Sequence, residues 1–386
     1  MINNFEFRVP RIIFGIDKIL TVSEIATEFE AKKVLIVTDS IIRKIGLVDK
    51  ICESLKSKGL FLHVFDEVKP EPDVNDVEKL VSEIRKNNYD LLVGVGGGSV
   101  MDATKIASVL SPTSKSLLDL VDLSKGAIQY LTVSSNPVKK ILIPTTAGTG
   151  SEVSMSCVIN IGRLRVSVRT PLALADVVII DPLMSISMPP QLTASTGLDA
   201  LSHAIESFMS INSTPITEAL SLQAAKMIIK YLLIAYENGR DLKARSYMAL
   251  ASTIAGMAMA NAGAVLGHSL AYGYASRFKL SHGVSVGMAL PYVIMYNSIV
   301  IPEKLNLFSR ELGFLDVKEF VSEIYKLLKK LNLPTTLKEI GASKSDLEEI
   351  AEEVYSSYLR PTNPRKTSKD DILAILMKMY NGECTP

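Results

Sequence analysis

The stretch YDLLVGVGGGS (89–99) passes from a continuous apolar run directly into three consecutive glycines and a serine. Three other segments share the form of a charged or apolar start, an apolar run and a polar end: KKVLIVTDS (32–40), FLHVFDEV (61–68) and KKILIPTT (139–146). Continuous apolar runs are typical of strands that are buried on both faces of a sheet. Helical patterns such as DVEKLVSEIRKNN (76–88) lie between them. This alternation predicts a parallel α/β sheet in the first half of the chain.

The pattern changes after DVVIIDPLMSISMPP (176–190), where helical spacing replaces almost every strand signal. SKSDLEEIAEEVYSSY (343–358) and SKDDILAILMKMYNG (368–382) both begin with serine and carry acids in their first turn. This pattern is typical of a capped helix N-terminus. We therefore predict an α/β domain over residues 1–182 and an all-helical domain over residues 183–386.

Composition argues against several classes of protein and partner. Lys plus Arg number 42 and Asp plus Glu number 41, so the charge balance predicts no attraction to nucleic acid or to an anionic membrane. Three cysteines far apart in sequence, and an N-terminus without the layout of a signal peptide, predict a cytoplasmic protein. Residues 246–276 contain no charged side chain but are rich in Ala, Gly and Ser, and we interpret them as a buried helix, not as a membrane span.

The glycine-rich turn GVGGGSVMDATK (94–105) is a candidate phosphate-binding site, because it leads from an apolar run into a helical pattern. Glycines let phosphate oxygens approach the backbone closely, and the following helix offers free N–H groups at its N-terminus. The residues predicted to bind phosphate are Gly96, Gly97, Gly98 and Ser99. A tight strand–helix turn without a ligand explains the same residues equally well.

Two other predicted strand ends carry candidate cofactor-binding residues. In IPTTAGTGSE (143–152), the hydroxyls of Thr145, Thr146 and Thr149 could hold a ribose or a nicotinamide amide, although such turns are common in α/β proteins. Asp39 ends the run KVLIVTD, where a carboxylate can bind both ribose hydroxyls and repel a 2′-phosphate, which favours NAD over NADP. The alternative for this position is a helix N-cap at Asp39 or Ser40.

The second half of the chain contains a candidate metal site. Asp199 and His203 are four residues apart, so they share one face of a helix. His268 and His282 would be ~21 Å apart along an unbroken helix, so both can bind one ion only if the helix ends between them. Each histidine taken singly is more often structural, but three in a chain with 4 histidines favour a site. One carboxylate and three imidazoles suit ferrous iron, zinc or manganese.

Together these segments resemble the iron-containing alcohol dehydrogenases, whose fold is shared with dehydroquinate synthase. The resemblance rests on GGGSVMDATK, IPTTAGTGSEVS, DPLMSISMPPQLTASTGLDALSHAIE and LGHSLAYGYASRFKLSHGVSVGMALPYVIMYN, which match the blocks of the family in order. It implies an N-terminal NAD(P)-binding domain, a helical catalytic domain, a metal in the cleft between them and a homodimer.

The resemblance also implies roles for individual residues. The metal ligands it implies are Asp199, His203, His268 and His282, and the nucleotide contacts are Gly97, Gly98, Ser99, Thr145, Thr146 and Thr149. Asp102 matches a position near the nicotinamide and substrate, and Leu183 one near the adenine. Many members have a second histidine where this chain has Tyr272, so Tyr272, water or the cofactor ribose would relay the proton. Asp102, Tyr272 and His268 are therefore the predicted catalytic residues.

The function that the resemblance implies is NAD(P)-linked interconversion of a small primary alcohol and its aldehyde. Fe²⁺ or Zn²⁺ would act as a Lewis acid on the substrate oxygen, and NAD, or else NADP, would carry the hydride. A polyol dehydrogenase, an NAD-using lyase of the same fold and a nucleotide-binding sensor remain alternatives. The complete block GLDALSHAIE favours the alcohol dehydrogenase branch.

Overall fold

The structure is a computed structural model that describes residues 4–162 and 164–383. The strands within these residues are β1 (Arg11–Phe14), β2 (Lys33–Val37), β3 (Phe61–Phe65), β4 (Leu91–Gly96), β5 (Ile128–Tyr130), β6 (Lys139–Pro144), β7 (Ser156–Ile161), β8 (Leu164–Arg169) and β9 (Val177–Ile180). The α-helices are α1 (Val22–Glu28), α2 (Ser40–Lys44), α3 (Asp49–Ser57), α4 (Val74–Asn87), α5 (Gly98–Leu110), α6 (Pro190–Met209), α7 (Pro215–Glu237), α8 (Leu242–Ala262), α9 (Leu266–Ala275), α10 (His282–Ser298), α11 (Pro302–Glu311), α12 (Val317–Lys330), α13 (Lys344–Glu353) and α14 (Lys369–Asn381).

The chain divides into two compact units. One unit is Arg8–Ser187, and the other begins at Met188 and also includes residues 4–7. The domain boundary predicted at residue 182 falls in the short 3-10 turn Pro182–Ser185, which ends just before this division.

A six-stranded parallel sheet organises the first unit, in the order β1-β9-β6-β4-β2-β3. The four predicted strands are β2, β3, β4 and β6, and all pair in parallel, so the predicted parallel α/β sheet is confirmed. Every residue of β4 is buried, which explains its continuous apolar run. β3 lies on one side of β2, and β4, the next strand in the chain, lies on the other, so the strand order reverses between β2 and β4. Open α/β sheets bind ligands beyond the carboxyl ends of the strands at such a reversal.

A second, three-stranded sheet in this unit was not predicted from the sequence. β7 and β8 form an antiparallel pair, and β5 pairs in parallel with β8. Along β7, buried residues alternate with partly buried ones, which is the period-two pattern of a sheet with one covered face.

The second unit is helical, as predicted. Ser343 and Ser368 cap α13 and α14 through reciprocal hydrogen bonds with Asp346 and Asp371, as the Ser-acid pattern indicated. The interpretation of residues 246–276 as one buried helix is wrong: α8 ends at Ala262, and α9 is bent from it by 104°. Gly263 adopts a φ of 81°, a left-handed conformation that a side chain disfavours, and it ends α8.

One helix among the described residues, α7, is long and apolar enough to cross a membrane, with a mean hydropathy of 1.3 over its most apolar window. The bent pair α8 and α9 passes the same test when taken as one span. Core helices of folded domains also pass it, so this finding is weak evidence for a membrane location.

Candidate metal centre and cofactor site

The first two candidate metal ligands lie one turn apart on α6. Asp199 and His203 are each 3% exposed, and Asp199 Oδ1 lies 3.3 Å from His203 Nε2. The helical spacing of four residues therefore brings the two side chains together, as the sequence predicted.

The other two candidate ligands lie at the beginnings of two consecutive helices. His268 is in the first turn of α9, which ends at Ala275, and His282 is the first residue of α10. The predicted break between these histidines is thus present. Gly283 permits the close approach of α10 to α6, because a Cβ at this position would collide with the backbone oxygen of Ser195.

The three candidate imidazole ligands converge on one atom of the fourth ligand, Asp199 Oδ1. It lies 3.3 Å from Nε2 of His203, 4.0 Å from Nε2 of His268 and 3.7 Å from Nε2 of His282. Ligand atoms of Asp199, His268 and His282 all lie within 4.8 Å of one another. Two ligands of a tetrahedral ion with bonds near 2.1 Å are ~3.4 Å apart, so this spacing fits one divalent cation with a small inward adjustment.

Two buried carboxylates, Asp199 and Glu206, make this cluster of side chains favourable for a cation. Asp199 is 3% and Glu206 is 0% exposed, and the ion-pair partners of both carboxylates are histidines. Asp199 Oδ1 and His268 Nε2 are buried and have no hydrogen-bond partner. Burying a carboxylate is costly unless it is compensated, so a positive ion among these atoms would satisfy both the charge and the unpaired atoms.

Glu206 is a part of this centre that the sequence analysis missed. Its Oε1 lies 2.8 Å from His268 Nδ1, and its Oε2 accepts a hydrogen bond from the backbone N–H of Val265 at 2.7 Å. A proton on His268 Nδ1 leaves the lone pair of Nε2 directed at Asp199. A signal was present, because Asp199, His203 and Glu206 follow one another at spacings of four and three on one face of α6.

Tyr272, the predicted proton relay, is an aromatic neighbour of the candidate ligands. Its ring centroid is 5.4 Å from that of His282 and 5.4 Å from that of Tyr358. Arg360 lies on the same ring, with Cζ 5.6 Å from the centroid. These contacts bring Tyr272 to the edge of the cluster, and its catalytic role stays a prediction.

The predicted phosphate-binding residues form the junction between β4 and α5. Gly96 is the last residue of β4, Gly97 is the N-cap of α5, and Gly98 and Ser99 begin the helix. A Cβ on Gly96 would lie 2.5 Å from Val100 Cγ2, and one on Gly98 would lie 2.9 Å from Thr149 Cγ2. A Cβ on Gly97 would meet only Thr146, at an ordinary 3.5 Å. Packing thus requires two of the glycines, whereas Gly97 leaves open the space that a phosphate would fill.

The other predicted cofactor contacts follow neighbouring strands of the same sheet. Thr145 and Thr146 follow β6, and the backbone N–H of Thr145 donates to Gly96 O at 2.9 Å. The Oγ1 of Thr149 accepts from the backbone of Ser151. Leu183 is partly buried in the 3-10 turn that follows β9. Because β9, β6, β4 and β2 are adjacent, these residues lie along one edge of the sheet.

Asp39 follows β2 at this edge and caps α2. Its Oδ1 accepts hydrogen bonds from the backbone N–H groups of Ile41 and Ile42, both at 2.9 Å. Asp39 is therefore an N-cap, as the alternative interpretation predicted. Its Oδ2 makes no such bond in the cap, so a ribose contact through that oxygen is compatible with the cap.

Asp102 is held in a buried network within α5 and its neighbours. One oxygen accepts from Ser151 Oγ at 2.5 Å and lies 3.0 Å from Lys105 Nζ, and the other accepts from the backbone N–H of Val158 at 2.8 Å. Lys105 is 0% exposed and also donates to Ser151 O. These bonds support a role for Asp102 in positioning the turn after β6, and its direct catalytic role stays a prediction.

Comparisons with known proteins agree in both halves of the chain. Residues 10–182 match the family model for iron-containing alcohol dehydrogenases, and residues 193–380 match the model for the C-terminal part of the Fe-containing alcohol dehydrogenase family. Long-chain-alcohol dehydrogenase 1 of Geobacillus thermodenitrificans is 37% identical, with 91% of this chain and 90% of the relative covered.

Two solved structures extend this agreement to the fold. The crystal structure of a 1,3-propanediol oxidoreductase superposes with a TM-score of 0.92 at 32% identity, covering 98% of this chain and 100% of the other. Sulfoacetaldehyde reductase from Bifidobacterium kashiwanohense, solved in complex with NAD⁺, superposes with a TM-score of 0.90 at 28% identity, covering 98% and 99%.

Proposed function

This chain belongs to the iron-containing alcohol dehydrogenase family, and on that premise we propose that it interconverts a small, primary alcohol and its aldehyde. It is an oxidoreductase acting on CH–OH donors, with iron and NAD as cofactors. The observation that carries the proposal is the convergence of three imidazole Nε2 atoms on Asp199 Oδ1. A bound Fe²⁺ supplies Lewis-acid stabilisation of the substrate oxygen, and NAD supplies the hydride acceptor.

The protein's own contribution is to hold ligands and cofactor in fixed positions. Glu206 fixes the orientation and tautomer of His268, so that its Nε2 is available as a ligand. The N-terminus of α5 and the open backbone at Gly97 would hold the pyrophosphate of NAD. Tyr272 is proposed to hold or move a proton at its hydroxyl, because it occupies the position where many relatives carry a second histidine.

The remaining features of the proposal concern partners and location. We expect small-molecule substrates because the relatives are named alcohol dehydrogenases. We expect no nucleic-acid partner and no membrane attachment because the charge balance is near zero. We also propose a cytoplasmic location, which is supported by the two buried free cysteines Cys52 and Cys157. Family membership supports a homodimer.

The test uses purified protein loaded anaerobically with Fe²⁺ and supplied with NADH and a panel of aldehydes, or with NAD and a panel of alcohols. We expect a change in NADH absorbance that disappears after chelation and returns with metal. The variant His268→Ala should fold, lose metal and lose most turnover. A variant with full metal stoichiometry and full activity, or a loaded wild type inactive on every alcohol and aldehyde, would contradict the proposal.

A further inference from the structure

Arg360 is a partly buried cationic side chain that lies near the candidate metal ligands. Its Nε is buried and has no hydrogen-bond partner among the described residues. Within the same residues, no Asp or Glu lies within ion-pair distance of its guanidinium, which lies over the ring of Tyr272. Buried donors are almost always satisfied in native proteins, so one that is not indicates a missing acceptor.

The positive charge of Arg360 lies close to the candidate metal ligand His282, with the ring of Tyr272 as their common neighbour. Both Arg360 Cζ and the ring centroid of His282 lie within 5.6 Å of the Tyr272 ring centroid. One aromatic ring thus adjoins a candidate metal ligand and an uncompensated guanidinium. A short substrate whose oxygen is held among the ligands can extend across this ring towards the guanidinium.

The backbone around Arg360 is anchored to the beginning of α9 by hydrogen bonds of the residues that follow it. Arg360 precedes a proline, which restricts its backbone to extended conformations, and it follows the π-helical turn Val354–Tyr358, a rare geometry that is frequent at functional sites. Beyond the proline, Thr362 Oγ1 donates to Ala264 O at 2.5 Å, and Asn363 Oδ1 accepts from the backbone of Leu266 at 3.3 Å. Both anchors lie beside the beginning of α9, which carries His268 and Tyr272.

We propose that Arg360 binds an anionic group of the substrate, so that the preferred substrates are short aldehydes and alcohols carrying a carboxylate or a similar oxyanion. Planar guanidinium groups bind such oxyanions through paired, charge-assisted hydrogen bonds. This inference rests on the proposed function and leaves its reaction unchanged. The carbonyl carbon gains a hydride from NADH and its oxygen gains a proton, giving a hydroxy acid and NAD.

The test compares substrates matched in length that differ in charge, namely 4-oxobutanoate with butanal and 5-oxopentanoate with pentanal. The variants are Arg360→Met, which removes the charge, and Arg360→Lys, which keeps it without the paired geometry. Arg310→Met is the matched control, because Arg310 is exposed on α11. Binding of succinate to Zn²⁺-loaded protein, measured by calorimetry, provides a readout that does not depend on turnover.

We expect the wild type to prefer each oxo acid over its neutral partner by at least ~10-fold in kcat/KM, since one hydrogen-bonded charge pair supplies a factor of this size. Arg360→Met should remove that preference through KM and weaken succinate binding ~10-fold or more, with neutral aldehydes changed less than ~3-fold. Arg360→Lys should recover part of the preference, and Arg310→Met should match the wild type.

The opposite results separate this inference from the proposed function. A wild type that reduces butanal without preferring 4-oxobutanoate, or an Arg360→Met variant equally impaired on both, overturns the role of Arg360 and leaves the alcohol dehydrogenase activity standing. A correctly loaded wild type that reduces neither neutral nor anionic aldehydes overturns the proposed function, and the substrate class with it.

Discussion

Replacing Glu206 by glutamine tests whether a buried carboxylate controls the metal affinity of this protein. Glu206 is 0% exposed, and its two oxygens serve His268 Nδ1 at 2.8 Å and the backbone N–H of Val265 at 2.7 Å. Glutamine has the same shape but only one acceptor oxygen. If its NH₂ group faces the backbone, the N–H of Val265 loses its acceptor. If it faces His268, Nδ1 must accept, and the proton then lies on Nε2, which can no longer bind a metal.

The size of the effect follows from these contacts. Removing the partner of a ligating histidine typically costs 10- to 100-fold in metal affinity, which is about 1.4 to 2.7 kcal/mol. In the orientation whose NH₂ group faces the backbone, the unpaired N–H of Val265 should separately lower the free energy of unfolding of the metal-free protein by about 1 to 3 kcal/mol. The metal affinity should fall in either orientation of Glu206→Gln, because a neutral amide no longer raises the basicity of the His268 imidazole as the carboxylate does.

The assay is a competition titration with Co²⁺ and a chromophoric chelator, because Co²⁺ suits the same nitrogen and oxygen ligands and avoids the oxidation of iron. Chemical unfolding of metal-free protein measures the second effect. Glu311→Gln is the control, since Glu311 forms only an exposed ion pair with Lys226. A Co²⁺ affinity of Glu206→Gln within threefold of the wild type, in a variant that is folded, would refute the orienting role.

Three other predictions follow from individual residues. Asp39→Gly should raise the use of NADP relative to NAD, because Oδ2 no longer repels a 2′-phosphate while glycine remains an acceptable N-cap; an unchanged ratio of the two kcat/KM values would exclude Asp39 from cofactor selection. Tyr272→Phe should flatten or shift the pH–rate profile if the hydroxyl relays protons, and an identical profile would rule that role out, since phenylalanine keeps the ring contact with His282. Lys140 is 2% exposed, and burial lowers its pKa from the usual 10.5 to about 8, so the unfolded chain holds more protons between these values and stability should rise with pH across that window, by up to about 3 kcal/mol. Lys140→Met should remove this rise in denaturant unfolding compared at pH 7.5 and pH 10, whereas Lys139→Met, with a half-exposed side chain, should retain it.

The larger features of the fold could be predicted because each has a local cause. The buried strands are continuous apolar runs, since both of their faces are covered in a parallel sheet. The break between His268 and His282 follows from helix geometry alone, because one ion cannot bind two residues separated by four turns. Ser343 and Ser368 cap helices for reasons that are contained within four residues of sequence.

Other features were missed because their causes are tertiary. The bend between α8 and α9 occurs at Gly263, and an apolar stretch with several glycines does not reveal which of them ends a helix. Arg360 is far from the metal-binding blocks in sequence, and only the packing of Tyr272 brings it near His282. Asp39 shows a different limit: the cap uses only Oδ1, so a ribose contact through Oδ2 would be compatible with it, and the sequence does not distinguish the two roles.

The arrangement of Glu206 indicates that the fold itself keeps the ligands in place before a metal binds. A buried carboxylate that interacted only with a ligating histidine would lose much of its compensation whenever the ion was absent. Glu206 also accepts hydrogen bonds from the backbone N–H groups of Val265 and His268, at the beginning of α9, where the N-cap residue Val265 offers no side-chain acceptor. These N–H groups need an acceptor in every state of the protein, and the positive end of the helix dipole favours a carboxylate there. Because the same side chain therefore caps α9 and orients His268, its burial is stabilised without the metal, and the histidine is already directed towards Asp199 when the ion arrives.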